Sequence, residues 1–66
     1  MKNFVKEERT KKQLTQVQLA ELVKVSRQTI ISIETNRYIP SVLLSLKLAS
    51  VLGKKVEGIF ELEKSD

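Results

Sequence analysis

A chain of 66 residues has room for one domain, and a domain that small buries only about 60 percent of its unfolded surface, so pairing with a second copy would help it. With no cysteine and no histidine it has no disulfide, no thiolate site and none of the usual zinc sets, which suits a reducing cytoplasm. No apolar run approaches the roughly 20 residues of a membrane span, and Glu7 and Glu8 stand where a signal peptide would turn apolar; the expectation is a cytoplasmic protein, neither exported nor embedded.

The first strong local start signal is Thr15. Its hydroxyl can accept from a backbone N–H of the first turn while Gln18, three residues on, reaches back as a capping box, so a helix starts at about Gln16. Leu19, Ala20, Leu22 and Val23 recur at helical spacing, and Gln16, Gln18 and Glu21 fall largely on the other side. Ser26 then caps a second helix, leaving only Val23, Lys24 and Val25 for the turn. So short a connection forces a steep crossing, at which the small Ala20 lets the backbones approach. Neither helix can bury its apolar stripe alone, so further helices must complete the core.

Ile30, Ile31 and Ile33 cannot share one narrow stripe. With Ile30 and Ile33 inward, Ile31 lies about 100° away and faces out beside Arg27. The outward set is then Arg27, Gln28, Ile31 and Ser32, which has the chemistry of base reading. Arginine pairs bidentately with guanine O6 and N7, glutamine with adenine N6 and N7, and an isoleucine meets a thymine methyl. The plainer alternative is a solvated face with Ile31 covering a loop; the paired-helix context favours the first reading.

Pro40 stops what precedes it, Ser41 caps a helix over Val42 to Leu52, and Gly53 ends it. Val42, Ser45, Leu46, Ala49 and Leu52 form one stripe and Leu44, Leu48 and Val51 another, so this helix is buried on more than one side. The second stripe, with Val56, Ile59, Phe60 and Leu62 from a short last helix and an extended tail, is either further intramolecular core or a dimer seam. Leu62 between Glu61 and Glu63 alternates as a strand would, and can pair with residues 2 to 5. Residues 1 to 37 carry eight Lys or Arg against four Glu, whereas residues 38 to 66 carry four basic and four acidic groups. The whole excess of +4 therefore lies with the half that would face nucleic acid, and the acidic tail should point away from it.

Nearly the whole chain resembles the helix-turn-helix domains of the lambda repressor and Cro type, the xenobiotic-response-element-like repressors. The resemblance rests on Leu14-Thr15-Gln16, Leu19-Ala20, Val25-Ser26-Arg27-Gln28-Thr29-Ile30, Ile33-Glu34, Pro40-Ser41 and Leu46 to Leu52. Small stand-alone members resembling the cytolysin regulators of Gram-positive bacteria are nearest in character. It implies a single all-α domain over residues 1 to 66, a compact five-helix fold, in some members with a small two-stranded antiparallel sheet from the two chain ends. The helix-turn-helix would span about 15–35 and the dimerisation region about 42–66.

The resemblance also implies roles. Arg27, Gln28, Ile31 and Ser32 occupy the base-reading helix, and Gln16, Ser26, Thr29, Asn36 and Arg37 match phosphate-contacting positions. Asn36 also suits a left-handed helix cap. Arg9 and Glu34 match a buried ion pair between the first helix and the reading helix. Leu44, Leu48, Val51, Ile59, Phe60 and Leu62 fall where members dimerise. Two positions depart from the pattern: Lys24 stands where the turn often has glycine, and Glu8 where many members carry an apolar residue, leaving Phe4 and Val5 to supply burial.

The expectation is a sequence-specific transcriptional repressor that binds a near-palindromic double-stranded DNA operator as a homodimer, without cofactor, metal, membrane or small-molecule substrate. An antitoxin or protein-interaction adaptor on the same fold is the alternative. Catalysis finds no support, since Glu7 and Glu8 diverge, no glycine-rich phosphate loop exists, and Ser26 has no histidine to activate it.

Overall fold

A computed structural model describes residues 1–66. In chain order it contains β1 (Lys2–Asn3), α1 (Val5–Lys11), α2 (Gln16–Val23), α3 (Arg27–Glu34), α4 (Val42–Leu52), one turn of 3-10 helix (Val56–Gly58) and β2 (Phe60–Glu61). No helix is long and apolar enough to cross a membrane.

Three of the helices begin on the hydroxyls that the sequence marks. Thr15 Oγ1 accepts from the Gln18 N–H at 3.1 Å and Gln18 Oε1 from the Thr15 N–H at 2.9 Å, a complete capping box. Ser26 and Ser41 accept from the Thr29 and Leu44 N–H groups at 3.2 and 3.1 Å. Such caps matter because helices of 7, 8, 8 and 11 residues are too short to be stable alone.

The four C-termini share one device. The first or second residue past each helix is left-handed, Gln13 at φ 58, Lys24 at φ 61, Asn36 at φ 61 and Gly53 at φ 67. In each case the next N–H returns five residues back to the helix: Leu14 to Arg9, Val25 to Ala20, Arg37 to Ser32 and Lys54 to Ala49, at 2.8–3.1 Å. The turn between α2 and α3 thus keeps its left-handed residue although that residue is lysine. Val25 accompanies it by packing on the core, the apolar contact that usually goes with this motif.

The core joins Val5 of α1, Leu19, Ala20 and Val23 of α2, Ile30 and Ile33 of α3, four residues of α4, and Ile59 and Phe60. On α4 the buried residues are Leu44, Ser45, Leu48, Ala49 and Leu52, a single face. The two stripes expected there are therefore one, and Val42 and Leu46 lie outside it at 78% and 55% exposure. Leu22 is likewise outside the core at 56%, because α2 needs only Leu19, Ala20 and Val23 to meet α3 and α4. Val5 is fully buried, Phe4 half-buried, and Glu8, its side chain mostly covered, is paired with Lys11 at 3.3 Å and Lys54 at 4.0 Å.

The fold has four α-helices, so the expectation of five is corrected. The segment expected as the last helix is only the 3-10 turn at Val56–Gly58, closed by the Gly58 N–H to Lys55 and the Ile59 N–H to Val56. Gly58 disfavours continuation, and Ile59 and Phe60 are already committed elsewhere. The Phe4 N–H donates to the Ile59 carbonyl at 2.7 Å, and β1 pairs antiparallel with β2 in the register Lys2 with Glu61 and Asn3 with Phe60. The terminal sheet thus forms on Phe60 and Glu61, with Leu62 beyond it at 83% exposure. Next to the sheet the Met1 ammonium lies 3.2 Å from both Glu63 and Asp66. Hydrogen bonds to Asp66 and then Glu63 hold its pKa above the usual value.

The six residues expected at a dimer contact differ in how much surface they keep. Leu44, Leu48, Ile59 and Phe60 lie in the core of one chain and have almost no surface to lend a partner. Val51 is half-buried, and of the six only Leu62 is open.

One polar cluster crosses between helices. Arg9 Nε and Nη2 donate to Glu34 at 2.7 and 3.3 Å, Arg9 Nη1 donates to the Leu14 carbonyl at 2.8 Å, and Gln16 Nε2 donates to Glu34 Oε1 at 3.1 Å. The Arg9 and Glu34 side chains are only 12% and 4% exposed. Glu34→Ala strands Arg9 and is expected to cost about 3–5 kcal/mol in chemical denaturation. Arg9→Met with Glu34→Leu should cost much less than the two single losses summed; additive losses would show that the charges are not coupled. Lys24→Gly relieves a left-handed lysine and should gain about 1 kcal/mol in the same measurement, and a loss would mean the lysine side chain makes a contribution larger than its backbone strain.

Candidate nucleic-acid interface

The short turn at Lys24 to Ser26 sets α3 across α2, and the inward pull of Ile30 and Ile33, at 0% and 1% exposure, turns the opposite face of α3 outward. Two adjacent columns stand on it at i, i+4 spacing, Arg27 with Ile31 and Gln28 with Ser32. Arg27 and Gln28 are exposed, while Ile31 and Ser32 are half-buried. Ile31 is therefore less open than the surplus-isoleucine pattern suggests, a partly covered apolar edge beside the arginine.

The side chains of Arg27 and Gln28, both in the first turn of α3, make no hydrogen bond or ion pair within the chain. Their donors and acceptors are available to a ligand. A groove of about 570 Å3 runs beside the second column, where Gln28, Thr29 and Ser32 face Tyr38, Leu43 and Lys47. The sequence pattern did not mark Tyr38 or Lys47, because their nearness to α3 depends on how α4 folds back.

The five phosphate-contact candidates are not alike. Gln16 at the start of α2 gives Nε2 to Glu34, so one end of its amide is tied down. Ser26 Oγ accepts from the Thr29 N–H and shares a 3.0 Å O–H···O bond with Thr29 Oγ1, so these two hydroxyls are engaged in capping α3. The backbone N–H groups of Asn36 and Arg37 are used as well, donating to the Ile33 and Ser32 carbonyls at 3.1 and 2.8 Å. Any contact there must come from side chains. The Arg37 side chain is exposed and unpaired, and Asn36 Oδ1 accepts from Asn3 Nδ2 at 2.9 Å. Asn3, on β1, is a participant for which the sequence offers no signal, 33 residues away from the turn it touches.

No group of histidine, cysteine or carboxylate side chains is arranged to hold a metal ion. The chemistry on offer is that of hydrogen-bond donors and cations on a convex helix face flanked by a groove, the form of a surface that enters a duplex groove more readily than one that encloses a small molecule.

The family model described as helix-turn-helix matches residues 5–59. A Bacillus subtilis (strain 168) protein named as an uncharacterized HTH-type transcriptional regulator, YgzD, is 44% identical over 66 residues, with all of both chains covered. A protein of Methanocaldococcus jannaschii with the same description, MJ0272, is 47% identical over 66 residues, again with both chains fully covered. Among solved structures, the restriction-modification controller protein C.AhdI from Aeromonas hydrophila superposes with a TM-score of 0.78 at 32% identity, covering 85% of each chain. With paired helices, a tight left-handed turn and the buried Arg9–Glu34 bridge in place, the chain belongs to the helix-turn-helix family of the lambda repressor and Cro type.

Proposed function

We propose that the chain is a sequence-specific transcriptional repressor, working in the cytoplasm, that binds a near-palindromic double-stranded DNA operator as a homodimer with α3 in the major groove. The observation that carries this reading is the pair Arg27 and Gln28, exposed and unpaired on the first turn of α3. In that position Arg27 takes guanine O6 and N7, Gln28 takes adenine N6 and N7, and Ile31 and Ser32 line the following base step. Arg37, the Asn36 side chain and the free part of Gln16 contact phosphates and set the register of the helix. The relatives' description as transcriptional regulators supports the same role.

A palindromic site needs two reading helices about 34 Å apart. The domain measures 32 × 22 × 20 Å, so two copies side by side span such a distance. For the contact between them the exposed apolar residues Ile39, Val42, Leu43 and Leu46 are the best supported surface, at 68, 78, 64 and 55% exposure. They follow one another through the connection before α4 and along its first half, and so concentrated an apolar group on a small charged domain marks an association surface.

Selection of bound sequences from a random duplex pool should recover a two-fold symmetric site; enrichment of no sequence would instead favour a protein adaptor. Arg27→Ala is expected to relax preference at one symmetric base pair at a cost of about 1–3 kcal/mol per half-site, and equal losses on operator and random DNA would sink that role. Arg37→Ala should weaken binding to all sequences alike and lower the salt slope by about 1 per half-site, whereas an unchanged slope removes Arg37 from the phosphates. Val42→Lys with Leu46→Lys should give a folded monomer in sedimentation, and a persistent dimer would place the interface elsewhere.

A further inference from the structure

β1 brings Asn3 opposite Phe60, and the Phe4 N–H bond to the Ile59 carbonyl continues the pairing past it. From there the Asn3 side chain reaches the end of α3. Its Nδ2 donates to the Ile33 carbonyl and to Asn36 Oδ1, both at 2.9 Å, and its Oδ1 accepts from the Val5 N–H at 3.3 Å. Chemistry dictates this orientation. A backbone carbonyl only accepts and a backbone N–H only donates, so the Asn3 nitrogen must face Ile33 and its oxygen must face Val5. The atom of Asn36 beside that nitrogen must then be its oxygen. Asn36 Nδ2, with two hydrogens, is left without a partner in the chain at an exposed position.

We propose that Asn3 is a positioning residue for DNA backbone binding: by fixing the Asn36 amide it presents Asn36 Nδ2, and not the repelled oxygen, to a phosphate beside the end of α3. This rests on the reading of α3 as the DNA-reading helix. The backbone is no substitute donor, because the Asn36 and Arg37 N–H groups already cap α3. The terminal sheet thereby acts on the interface through one side chain.

Mixed-sequence duplex DNA at low salt is a sufficient probe, since phosphate contacts are made on any sequence. Asn36→Gly keeps a residue suited to φ 61 and removes only the amide, and its affinity should fall about fivefold. Asn3→Ala should bring a similar fall, and the double variant should lose no more than Asn36→Gly alone. Asn3→Asp keeps the acceptor for the Val5 N–H but has no donor, so it draws the Asn36 nitrogen inward and turns the oxygen toward the phosphate. It should lose more than Asn3→Ala, and that excess should shrink in the Asn36→Gly background to what the added carboxylate charge costs by itself. Thermal unfolding of each variant gives the folded fraction, so affinities are compared among folded molecules; if Asn3→Ala does not fold, Asn3→Asp carries the test. Losses at Asn3 that persist undiminished beside Asn36→Gly overturn the proposal. Unchanged binding by Asn36→Gly also overturns it and leaves the reading of α3 standing. No binding of duplex by the parent chain overturns that reading itself.

Discussion

The Glu34 carboxylate is the point on which the domain turns. It is almost fully buried at the last residue of α3, where the helix dipole disfavours a negative charge, so it needs the donors that Arg9 and Gln16 bring from two other helices. Because Arg9 also donates to the Leu14 carbonyl, one guanidinium fixes the end of α1, the approach to α2 and the far end of α3 together. The angle at which α3 leaves the body, and hence which of its faces is free, follows from that arrangement as much as from the apolar core. A buried ion pair adds little net stability over apolar replacement, but it tolerates few geometries, and here it specifies one.

The rest of the fold is made from helices too short to persist alone, so their ends carry an unusual share of the structure. Each α-helix terminates through the same left-handed return, and only one of the four uses glycine. Lysine at the turn between α2 and α3 shows that the geometry of the motif is imposed by packing, since Val25 must reach the core and the Ala20 carbonyl must be satisfied. These returns are also what withdraws the Asn36 and Arg37 N–H groups from external use. Capping and ligand binding compete for the same donors, and at the end of α3 capping has taken the backbone, which leaves recognition to side chains.

The surface consequently separates into polar groups held within the chain and polar groups left open. Ser26 and Thr29 satisfy each other, and Gln16 serves Glu34. Arg27, Gln28 and Arg37 have no such partner. Side chains with large conformational freedom stay unpaired at an entropic advantage in the free protein, and an ordered ligand must then supply several hydrogen bonds to hold them. That division sorts the groups available to a ligand from those that hold the scaffold in shape.

Much of this was legible in the amino-acid sequence. Thr15, Ser26 and Ser41 as caps, the inward set Leu19, Ala20, Val23, Ile30 and Ile33, and the outward Arg27 and Gln28 all follow from hydrogen bonds and side-chain spacing within three or four residues. Such relations are local, so a linear text contains them. What the tertiary structure decided lies between segments far apart in the chain. Whether α4 had one buried face or two, whether Leu48 and Ile59 met their own chain or another, and whether the last segment closed as a helix or a strand depended on which surfaces were already occupied. Asn3 meeting Asn36 is of the same kind, because no periodicity links the first strand to the end of α3. The sequence determined the elements and the sides they present; only their packing determined which polar and apolar groups would be used up inside the molecule and which would remain for a partner.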